Sequence, residues 1–371
     1  MSSQARRVLV TGVSRWWGGL LVQRLVEEKG IAEVVAIDTE EPHCDLGDAD
    51  FLKLDIRHSL VGKLVRSVGI DTVVHTQTTI DSIDPDSRRA HETNVIGTMN
   101  LLAGCAGDAS PVRRLVLKSS AHVYGARHDL PGHLKEERRL DSASPHSFVR
   151  DMIETESNFS DFAIRNPRAA TVLLRFTNSL NSDEPAPLAR YFDLPLVPTV
   201  LGFDPLLHLI HRDDVIEALV RATLGEGSGA YNIAGANPLP LSALLAGVGK
   251  VGAPLLPPAG LQVVAAALAG AGLNFLSPQL VDLLRWGRTL SLRRAEHDLG
   301  FRAARDTLES LDDYVQQRRI IGYLPGQGHY LYERELEDYI HSRKQRGKPS
   351  AAARLKLATE SANEPRRRPH R

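Results

Sequence analysis

The chain has 371 residues, of which 42% are apolar, and it carries 45 basic and 45 acidic residues. This length is enough for one large hydrophobic core and a smaller lobe. The balanced charge excludes a general attraction to nucleic acids, membranes or polyanionic substrates. The charge is unevenly placed, because residues 342–371 hold ten basic and two acidic residues, a net charge of +8 that leaves −8 on the rest.

Three features predict a cytoplasmic protein without a transmembrane segment. The N-terminal residues lead into a predicted strand with no apolar export segment before it. The two cysteines, Cys44 and Cys105, are too few for a disulfide framework. The longest apolar stretch, residues 263–276, has 14 residues, fewer than the ~20 that a membrane span needs. We interpret this stretch as a buried helix.

Short β-branched runs alternate with helical patterns through the first half of the chain, which is typical of a parallel sheet with helices on both faces. The predicted strands are 6–12, 33–38, 51–55, 71–76, 113–120 and 170–176, and the predicted helices are 18–29, 58–68, 86–105 and 147–163. Right-handed crossovers between these strands give a doubly wound, Rossmann-type α/β fold. Ligands bind such sheets beyond the carboxyl ends of the strands.

After residue 176 the pattern changes to proline-rich loops, a helix near 212–223, a strand at 231–235 and a helix-rich remainder. We predict an NAD(P)-binding Rossmann domain over residues 1–180 with returning segments near 205–234. A smaller, helix-rich C-terminal substrate lobe would comprise residues 181–204 and 235–341. Residues 342–371 are predicted to be a disordered basic tail, which could contact anionic surfaces or fold back on the acidic body.

The segment Val-Leu-Val-Thr-Gly-Val-Ser-Arg-Trp-Trp-Gly-Gly, residues 8–19, joins the first strand to the first helix. Backbone N–H groups and the helix dipole favour a diphosphate at such a junction. Gly12 permits the tight turn, and Gly18 permits close packing of helix on strand. The middle glycine is missing, since its position is Arg15 in the TGxxGxxG spacing and Trp16 in the TGxxxGxG spacing. Arg15 could clamp a diphosphate, or it could fill the site and prevent binding.

Asp38 ends the second predicted strand, 26 residues after Gly12. A carboxylate at this place in a dinucleotide-binding fold accepts hydrogen bonds from the ribose hydroxyls, and its charge repels a 2′-phosphate. We therefore predict NAD as the cofactor in preference to NADP. The alternative interpretation is that Asp38 only caps a turn.

Further fragments follow in order: LDIR (54–57), DTVVHT (71–76), NVIGTMNLL (94–102), KSSAHVYG (118–125), LLRFTN (173–178), LIHRDDV (209–215) and YNIAG (231–235). In this order and spacing, the chain resembles the extended short-chain dehydrogenase/reductases, the NAD-dependent epimerase/dehydratase family, and especially its UDP-glucose 4-epimerase-like members. The resemblance covers about residues 7–315. It implies a small-molecule substrate of the nucleotide-sugar kind, and a homodimer formed through the helices near 86–105 and 147–163.

The resemblance also implies roles for individual residues. Asp55 and Ile56 would flank the adenine, Thr76 would lie along the cofactor, Asn94 would brace the long helix, Ser119 and Ser120 would lie at the nicotinamide end, and Asn178 would touch the substrate. The family's HxAA after the fourth strand reads His75-Thr76-Gln77-Thr78 here, so bulkier polar residues replace small ones. No metal site is predicted.

The chemistry of the family needs a tyrosine whose pKa is lowered by a lysine four residues later. None of the eight tyrosines has a lysine at that spacing. Alignment on KSSAHVYG and on the helix after His146 puts Phe148 in the tyrosine position and Met152 in the lysine position. Phe148 cannot carry a proton, and Met152 cannot hold a charge.

A substitute proton-transfer group could be His122, His146 or Arg150. We predict His146, acting with Ser120, because it closely precedes Phe148 and because histidine is the usual proton-transfer side chain at neutral pH; the alternative is an exposed loop histidine. Two functions follow. One is an NAD-dependent epimerase or oxidoreductase that acts on a nucleotide-linked sugar through an atypical proton-transfer group. The other is a dinucleotide-binding sensor or scaffold that has lost catalysis.

Overall fold

The computed structural model describes residues 5–78, 87–138, 144, 146–181, 186–255, 260–270, 272 and 276–323. Residues up to Val315 belong to one compact unit, and Gln316 begins a second. The basic tail lies outside the described residues, so its disorder remains a prediction.

The described strands alternate with helices along the chain, as predicted. The strands are β1 (Arg6–Thr11), β2 (Ile31–Asp38), β3 (Asp50–Lys53), β4 (Thr72–His75), β5 (Arg114–Ser120), β6 (Ala170–Phe176), β7 (Val197–Val200), β8 (Leu206–Leu207), β9 (Gly229–Ile233), β10 (Leu239–Pro240) and β11 (Gly252–Leu255). The helices are α1 (Trp16–Val26), α2 (Leu60–Val68), α3 (Ser87–His91), α4 (Thr98–Cys105), α5 (Ser147–Arg165), α6 (Pro187–Asp193), α7 (Arg212–Leu224), α8 (Leu241–Gly247), α9 (Gly260–Gly270), α10 (Pro278–Trp286), α11 (Arg293–Asp298) and α12 (Thr307–Tyr323).

The main sheet of the described chain has seven strands in the order β3-β2-β1-β4-β5-β6-β9, and every pairing is parallel. The predicted Rossmann-type α/β fold is therefore confirmed. The sequence pattern predicted six strands in this sheet, and β9 adds a seventh because it pairs with the free edge of β6. The carboxyl ends of β1, β2, β4 and β5 lie side by side, which brings the predicted site residues to one edge.

Side chains of the central strands alternate between two apolar clusters, one on each face of the sheet. Val8 and Val10 of β1 pack with Leu219 of α7 on one face. Leu9, between them, packs with Leu101 of α4 on the other face. A third cluster is formed, apart from Ala126, by residues after β6, among them Leu188, Leu209, Leu244 and Leu284. Most of its residues belong to the predicted substrate lobe.

Two predicted helices differ from the structure. The helix predicted over 86–105 is interrupted by a π-helical segment, Glu92–Gly97, between α3 and α4. The apolar stretch at 263–276 is described only in part, and for α9 the prediction of a buried helix is wrong: α9 buries only Leu261, and Val263 is 65% exposed. An apolar sequence does not ensure burial, because α9 meets the rest of the unit along only part of its circumference. Among the described helices, none is long and apolar enough to cross a membrane.

Candidate active site

The turn from β1 to α1, residues 12–15, is where the sequence predicts a phosphate-binding loop, and it is called the phosphate loop below. Gly12 has a φ of +82°, and a Cβ atom there would lie 2.7 Å from the backbone of Gln77. A Cβ atom on Gly18 would collide with the carbonyl oxygen of Gly12. Arg15 is the N-cap of α1 and makes no side-chain capping bond, since a guanidinium has no acceptor. The first N–H groups of α1 can therefore face an anion.

The adenosine side of the site begins at Asp38, the last residue of β2. One oxygen of its buried carboxylate accepts the backbone N–H of Ser14 at 2.9 Å and the Ser14 hydroxyl at 2.6 Å. The other oxygen accepts the N–H of Thr39 at 2.7 Å. Asp38 therefore braces the phosphate loop, and because each carboxylate oxygen has further lone pairs, it can still accept ribose hydroxyls.

The segment after β3 holds Asp55 and Ile56 in different environments. Asp55 forms an ion pair with Arg57, with Oδ2 at 2.7 Å from Nη2, and its pKa is lowered mainly by this hydrogen bond. Ile56 is buried, and a Cβ atom on Gly97 would meet its side chain at 2.5 Å. Its carbonyl oxygen accepts Asn100 Nδ2 at 2.6 Å. These contacts hold the backbone of residues 55–56 in place. The Asp55 carboxylate is already paired with Arg57.

Two of the polar residues in the segment that corresponds to the family's HxAA, Thr76 and Gln77, lie against the start of the phosphate loop. The Thr76 hydroxyl donates to the carbonyl oxygen of Thr11 at 2.7 Å. The side-chain oxygen of Gln77 is buried and has no hydrogen-bond partner among the described residues. Thr78 lines the cleft described below. Asn94 is buried, and its carbonyl oxygen accepts the hydroxyls of two threonines in the adjoining helices.

The end of β5 presents two serines with different partners. Ser119 Oγ donates to Glu156 at 2.6 Å, and Glu156 is paired with Arg175 at 2.7 Å, deep in the protein. Burial opposes the charge on Arg175, but the adjacent Glu156 carboxylate outweighs it and raises the pKa of Arg175. Ser119 therefore belongs to a buried hydrogen-bond network with Glu156 and Arg175. Ser120 Oγ instead lies 2.8 Å from Nδ1 of His122.

A cleft opens beyond the carboxyl ends of β1, β4, β5 and β6. Its lining includes Arg15, Thr76, Ser119, Ser120 and Asn178 of the predicted site residues, together with Trp17, Lys118, His122, Phe148 and Phe176. Among the described lining residues, Arg15 and Lys118 are the basic ones, and none is Asp or Glu. The cleft therefore suits an anionic ligand with planar apolar groups.

A model of the NAD dependent epimerase/dehydratase family matches residues 8–234. The chain belongs to this family. It is 33% identical over 318 residues to the uncharacterised proteins Rv0501 of Mycobacterium tuberculosis and Mb0513 of Mycobacterium bovis, with 84% of this chain and 84% of each relative covered. The family resemblance seen in the sequence is thus confirmed.

Solved structures share the fold at low sequence identity. The UDP-glucose 4-epimerase of Thermotoga maritima has a TM-score of 0.65 at 18% identity, with 85% of this chain and 99% of that chain covered. WbmH of Bordetella bronchiseptica, in complex with NAD+, has a TM-score of 0.64 at 20% identity, with the same coverage. MoeE5, in complex with UDP-glucuronic acid and NAD, has a TM-score of 0.63 at 21% identity, again covering 85% and 99%.

In this member of the epimerase/dehydratase family, the positions assigned to the tyrosine and lysine are apolar and buried. Phe148 is 1% exposed and Met152 is 2% exposed, and both belong to a cluster with Tyr124 and Leu290. The Phe148 ring lies edge-on to the His122 ring, with centroids 6.0 Å apart. A titratable imidazole, that of His122, therefore lies next to the family's tyrosine position.

His146 lies elsewhere than its spacing suggested. Its Nε2 is 2.8 Å from the carboxylate of Asp282 on α10. It is absent from the described lining of the cleft, whereas His122 is part of it. His146 thus ties the start of α5 to α10, and its catalytic role remains only a prediction. Lys118 was not singled out from the sequence, although its position two residues before Ser120 on one strand predicts that both face the same side.

Proposed function

We propose that the chain binds NAD in this cleft and acts on a nucleotide-linked sugar by transient hydride transfer, with Ser120 and His122 as its proton-transfer pair. The observation that carries this proposal is the 2.8 Å contact between Ser120 Oγ and His122 Nδ1, beside Phe148. NAD and a UDP-linked sugar acid are bound by MoeE5, and family membership extends the expectation to this chain.

The residues of the cleft and of the adjoining turn after β1 fit a dinucleotide. The tight turn at Gly12 and the N-terminus of α1 suit a diphosphate, and the Arg15 guanidinium would add charge-assisted hydrogen bonds to it. The buried, unpartnered Oε1 of Gln77 would be satisfied by a ligand donor. Asp38 would accept the ribose hydroxyls and disfavour a 2′-phosphate, so NAD is proposed in preference to NADP.

Bound NAD supplies the hydride acceptor and donor for such a reaction. The chain itself must move a proton. We expect Ser120 Oγ to take the proton of the sugar hydroxyl as its own proton passes to Nδ1 of His122, and the reverse transfer to return it. Burial, followed by the charges of Arg288 and His146, lowers the pKa of His122 well below its ordinary value. His122 is therefore neutral before the reaction, and because burial disfavours its protonated form, Nδ1 would hold the proton only transiently before returning it.

The remaining assignments are also proposals. Asp55 and Ile56 would flank the adenine, Asn94 would brace the helix beside the cofactor, and Asn178 would contact the substrate. A homodimer would form through the helices at 87–105 and 147–165, where Met99 is half-exposed. Sedimentation of a dimer would support this assembly, and a monomer at micromolar concentration would contradict it.

The test compares three proteins: wild type, His122→Asn and His146→Ala. Binding of NADH is followed by fluorescence, and turnover by the absorbance of bound NADH after addition of UDP-glucose or UDP-glucuronic acid. We expect His122→Asn to keep its NADH affinity and lose turnover, because asparagine cannot accept the proton. We expect His146→Ala to keep both properties. Loss of turnover in His146→Ala alone would instead support His146 as the base.

A second function, binding of the dinucleotide without turnover, is favoured by one observation. Phe148 and Met152 are packed as ordinary core residues, so the positions that carry the family's acid–base chemistry here stabilise the fold. Saturable NADH binding with no spectral response to any nucleotide sugar would support this sensor or scaffold function.

A further inference from the structure

We propose that Arg288 is a positioning residue for His122: its buried positive charge favours the neutral imidazole, which is the form that can accept a proton from Ser120. This charge would replace the one that the resemblance assigns to a lysine at the position of Met152, which lies in an apolar cluster. The inference rests on the proposed function in one respect, because it requires His122 to be the proton acceptor.

The backbone around Arg288 is fixed on two sides. The N–H of Arg288 donates to the carbonyl oxygen of Leu206 at 3.0 Å, and Arg288 pairs in parallel with Leu207. Farther along the same segment, Leu290 pairs with Leu134. Arg288 is only 6% exposed. The position of its guanidinium is therefore set by the packing of the surrounding protein.

Two hydrogen bonds connect this guanidinium to the turn that carries His122. Arg288 Nη1 donates to the carbonyl oxygen of Gly125 at 3.3 Å. The N–H of Gly125 donates in turn to the carbonyl oxygen of His122 at 2.9 Å, at the end of the 3₁₀ turn Ala121–Tyr124. The charge of Arg288 is thus held close to the residue whose imidazole contacts Ser120 Oγ.

The charge of Arg288 has no acidic partner among the described residues. Burial lowers the pKa of the guanidinium from 12.5 to about 10, so the group is still charged at neutral pH. Its Nη2 atom is buried and makes no hydrogen bond within the part of the chain that the structure describes. A buried charge without a partner lowers the stability of a fold. This arrangement differs from that of Arg175, which is paired with Glu156.

A buried, unpaired charge acts strongly on a neighbouring imidazole, because little solvent screens it. Burial is the main cause of the lowered pKa of His122, and the charges of Arg288 and His146 follow in that order. His146 lies against the Asp282 carboxylate, 2.8 Å away, which offsets its charge when it is protonated. Arg288 stays charged throughout the pH range in which histidines titrate. It therefore favours return of the proton that His122 accepts.

The test follows the protonation of His122 by NMR of ring-labelled histidine, without any nucleotide, in wild type, Arg288→Met, Arg288→Lys and Arg285→Met. Arg285 lies in the last turn of α10 on the rings of Phe203 and Trp286, and it is the matched control for loss of a guanidinium. At about pH 5, the protonated fraction of His122 should rise about tenfold in Arg288→Met. Arg288→Lys, which keeps the charge at this pH, and Arg285→Met should leave it unchanged.

Two further measurements keep the inference falsifiable if Arg288→Met does not fold. Arg288→Gln is a second neutral variant that can keep the hydrogen bond to Gly125, and the same tenfold rise is expected. In the wild type, half-protonation of His122 at or above about pH 6.5, the ordinary value for histidine, would overturn the inference without any variant. An unchanged protonated fraction in a folded neutral variant would overturn it as well.

Failure of the inference and failure of the proposed function are distinguishable, because the NMR measurement requires neither cofactor nor turnover. If the protein turns over a nucleotide sugar, the acidic limb of its pH–rate profile should move to higher pH in Arg288→Met. A merely structural Arg288 would lower the rate at every pH without this movement. A tenfold rise in protonated His122 in a protein without turnover would support the electrostatic effect and contradict the proposed function.

Discussion

His75 joins the ends of β1 and β4 through a hydrogen bond to Thr11, with Nδ1 at 2.6 Å from the threonine hydroxyl. Its Nε2 lies 2.9 Å from the hydroxyl of Thr98. The Thr98 hydroxyl donates to the carbonyl oxygen of Asn94, so it must accept from His75 Nε2–H. Nδ1 then accepts from Thr11, and the imidazole is neutral with both nitrogens satisfied. The buried His75 ring therefore links the end of β1, where the phosphate loop begins, to β4 and α4.

The protein should lose stability as the pH falls from about 6.5 to about 4. Burial lowers the pKa of His75 from 6.5 to about 4, so the unfolded chain binds this proton more readily than the folded one. The stabilisation is complete above the unfolded pKa and is lost as the pH falls through the folded pKa, amounting to about 3 kcal/mol. Urea unfolding at a series of pH values in this window measures the loss.

A variant tests whether His75 contributes to that loss. His75→Asn should lower the free energy of unfolding at neutral pH by about 1–3 kcal/mol through unsatisfied threonine hydroxyls. It should also flatten, but not abolish, the pH dependence, because His208 is buried with a similarly lowered pKa. His297→Asn, at an exposed position, should change neither quantity. An unaltered pH dependence in His75→Asn would show that the ring is not buried in neutral form.

The orientation of the Arg15 side chain decides whether an arginine at the position of the missing glycine strengthens or weakens dinucleotide binding. If its guanidinium clamps the diphosphate, Arg15→Met should weaken NADH binding about tenfold and reduce its dependence on salt. Arg24→Met, at an exposed position farther along α1, is the control for loss of charge. Calorimetric titration at two salt concentrations checks both effects. Tighter binding by Arg15→Met would mean that the side chain obstructs the site.

Selectivity between NAD and NADP should depend on Asp38. Asp38→Asn removes the charge that repels a 2′-phosphate, so the preference for NAD over NADP should fall about tenfold. The hydrogen bonds from Ser14 are weakened as well, so the melting temperature should drop. Asp50→Asn on the adjoining strand β3 is an exposed control. If Asp38 only braces the loop, the melting temperature will fall while the NAD/NADP ratio stays constant.

Removing either charge of the buried ion pair between Glu156 and Arg175 should strongly lower the free energy of unfolding. Glu156→Gln or Arg175→Met leaves an uncompensated buried charge, and each should lower the free energy of unfolding by about 3–5 kcal/mol. The double variant removes both charges, so its loss should be well below the sum of the single losses. Urea unfolding of the four proteins completes this cycle. Additive losses would contradict direct coupling of the two charges.

Much of the fold could be predicted because its signals are local. The alternation of apolar residues identified β1 to β6, and the pattern from Gly12 to Gly18 identified the phosphate loop. The seventh strand lies in the segment that the sequence predicts to return to the Rossmann domain, but its pairing with β6 could not be predicted, since sequence periodicity shows that a strand exists and not which strand it pairs with. The exposure of α9 was missed for a similar reason: an apolar sequence does not say how much neighbouring structure covers it.

The choice between the candidate bases depended on contacts between distant residues. His146 is close to Phe148 in sequence, yet its imidazole is engaged by Asp282, which lies 136 positions later in the chain. His122 is farther from Phe148 in sequence but lies next to its ring. Lys118 could have been found from the alternation along β5, because residues two apart on a strand share a face.

By itself, the sequence determined the parallel sheet, the glycine-containing turn after β1, the carboxylate that ends β2 and the absence of any tyrosine with a lysine four residues later. These features depend on backbone conformation and on residue identity at short spacings, which the chain encodes locally. Only the tertiary structure decides which charged and titratable groups lie together in the cleft. It brings His122 and Lys118 into the lining of the cleft, and it pairs His146 with Asp282. Contacts of this kind form only when helices and strands pack, because electrostatic interactions depend on distance in space and not on separation along the chain.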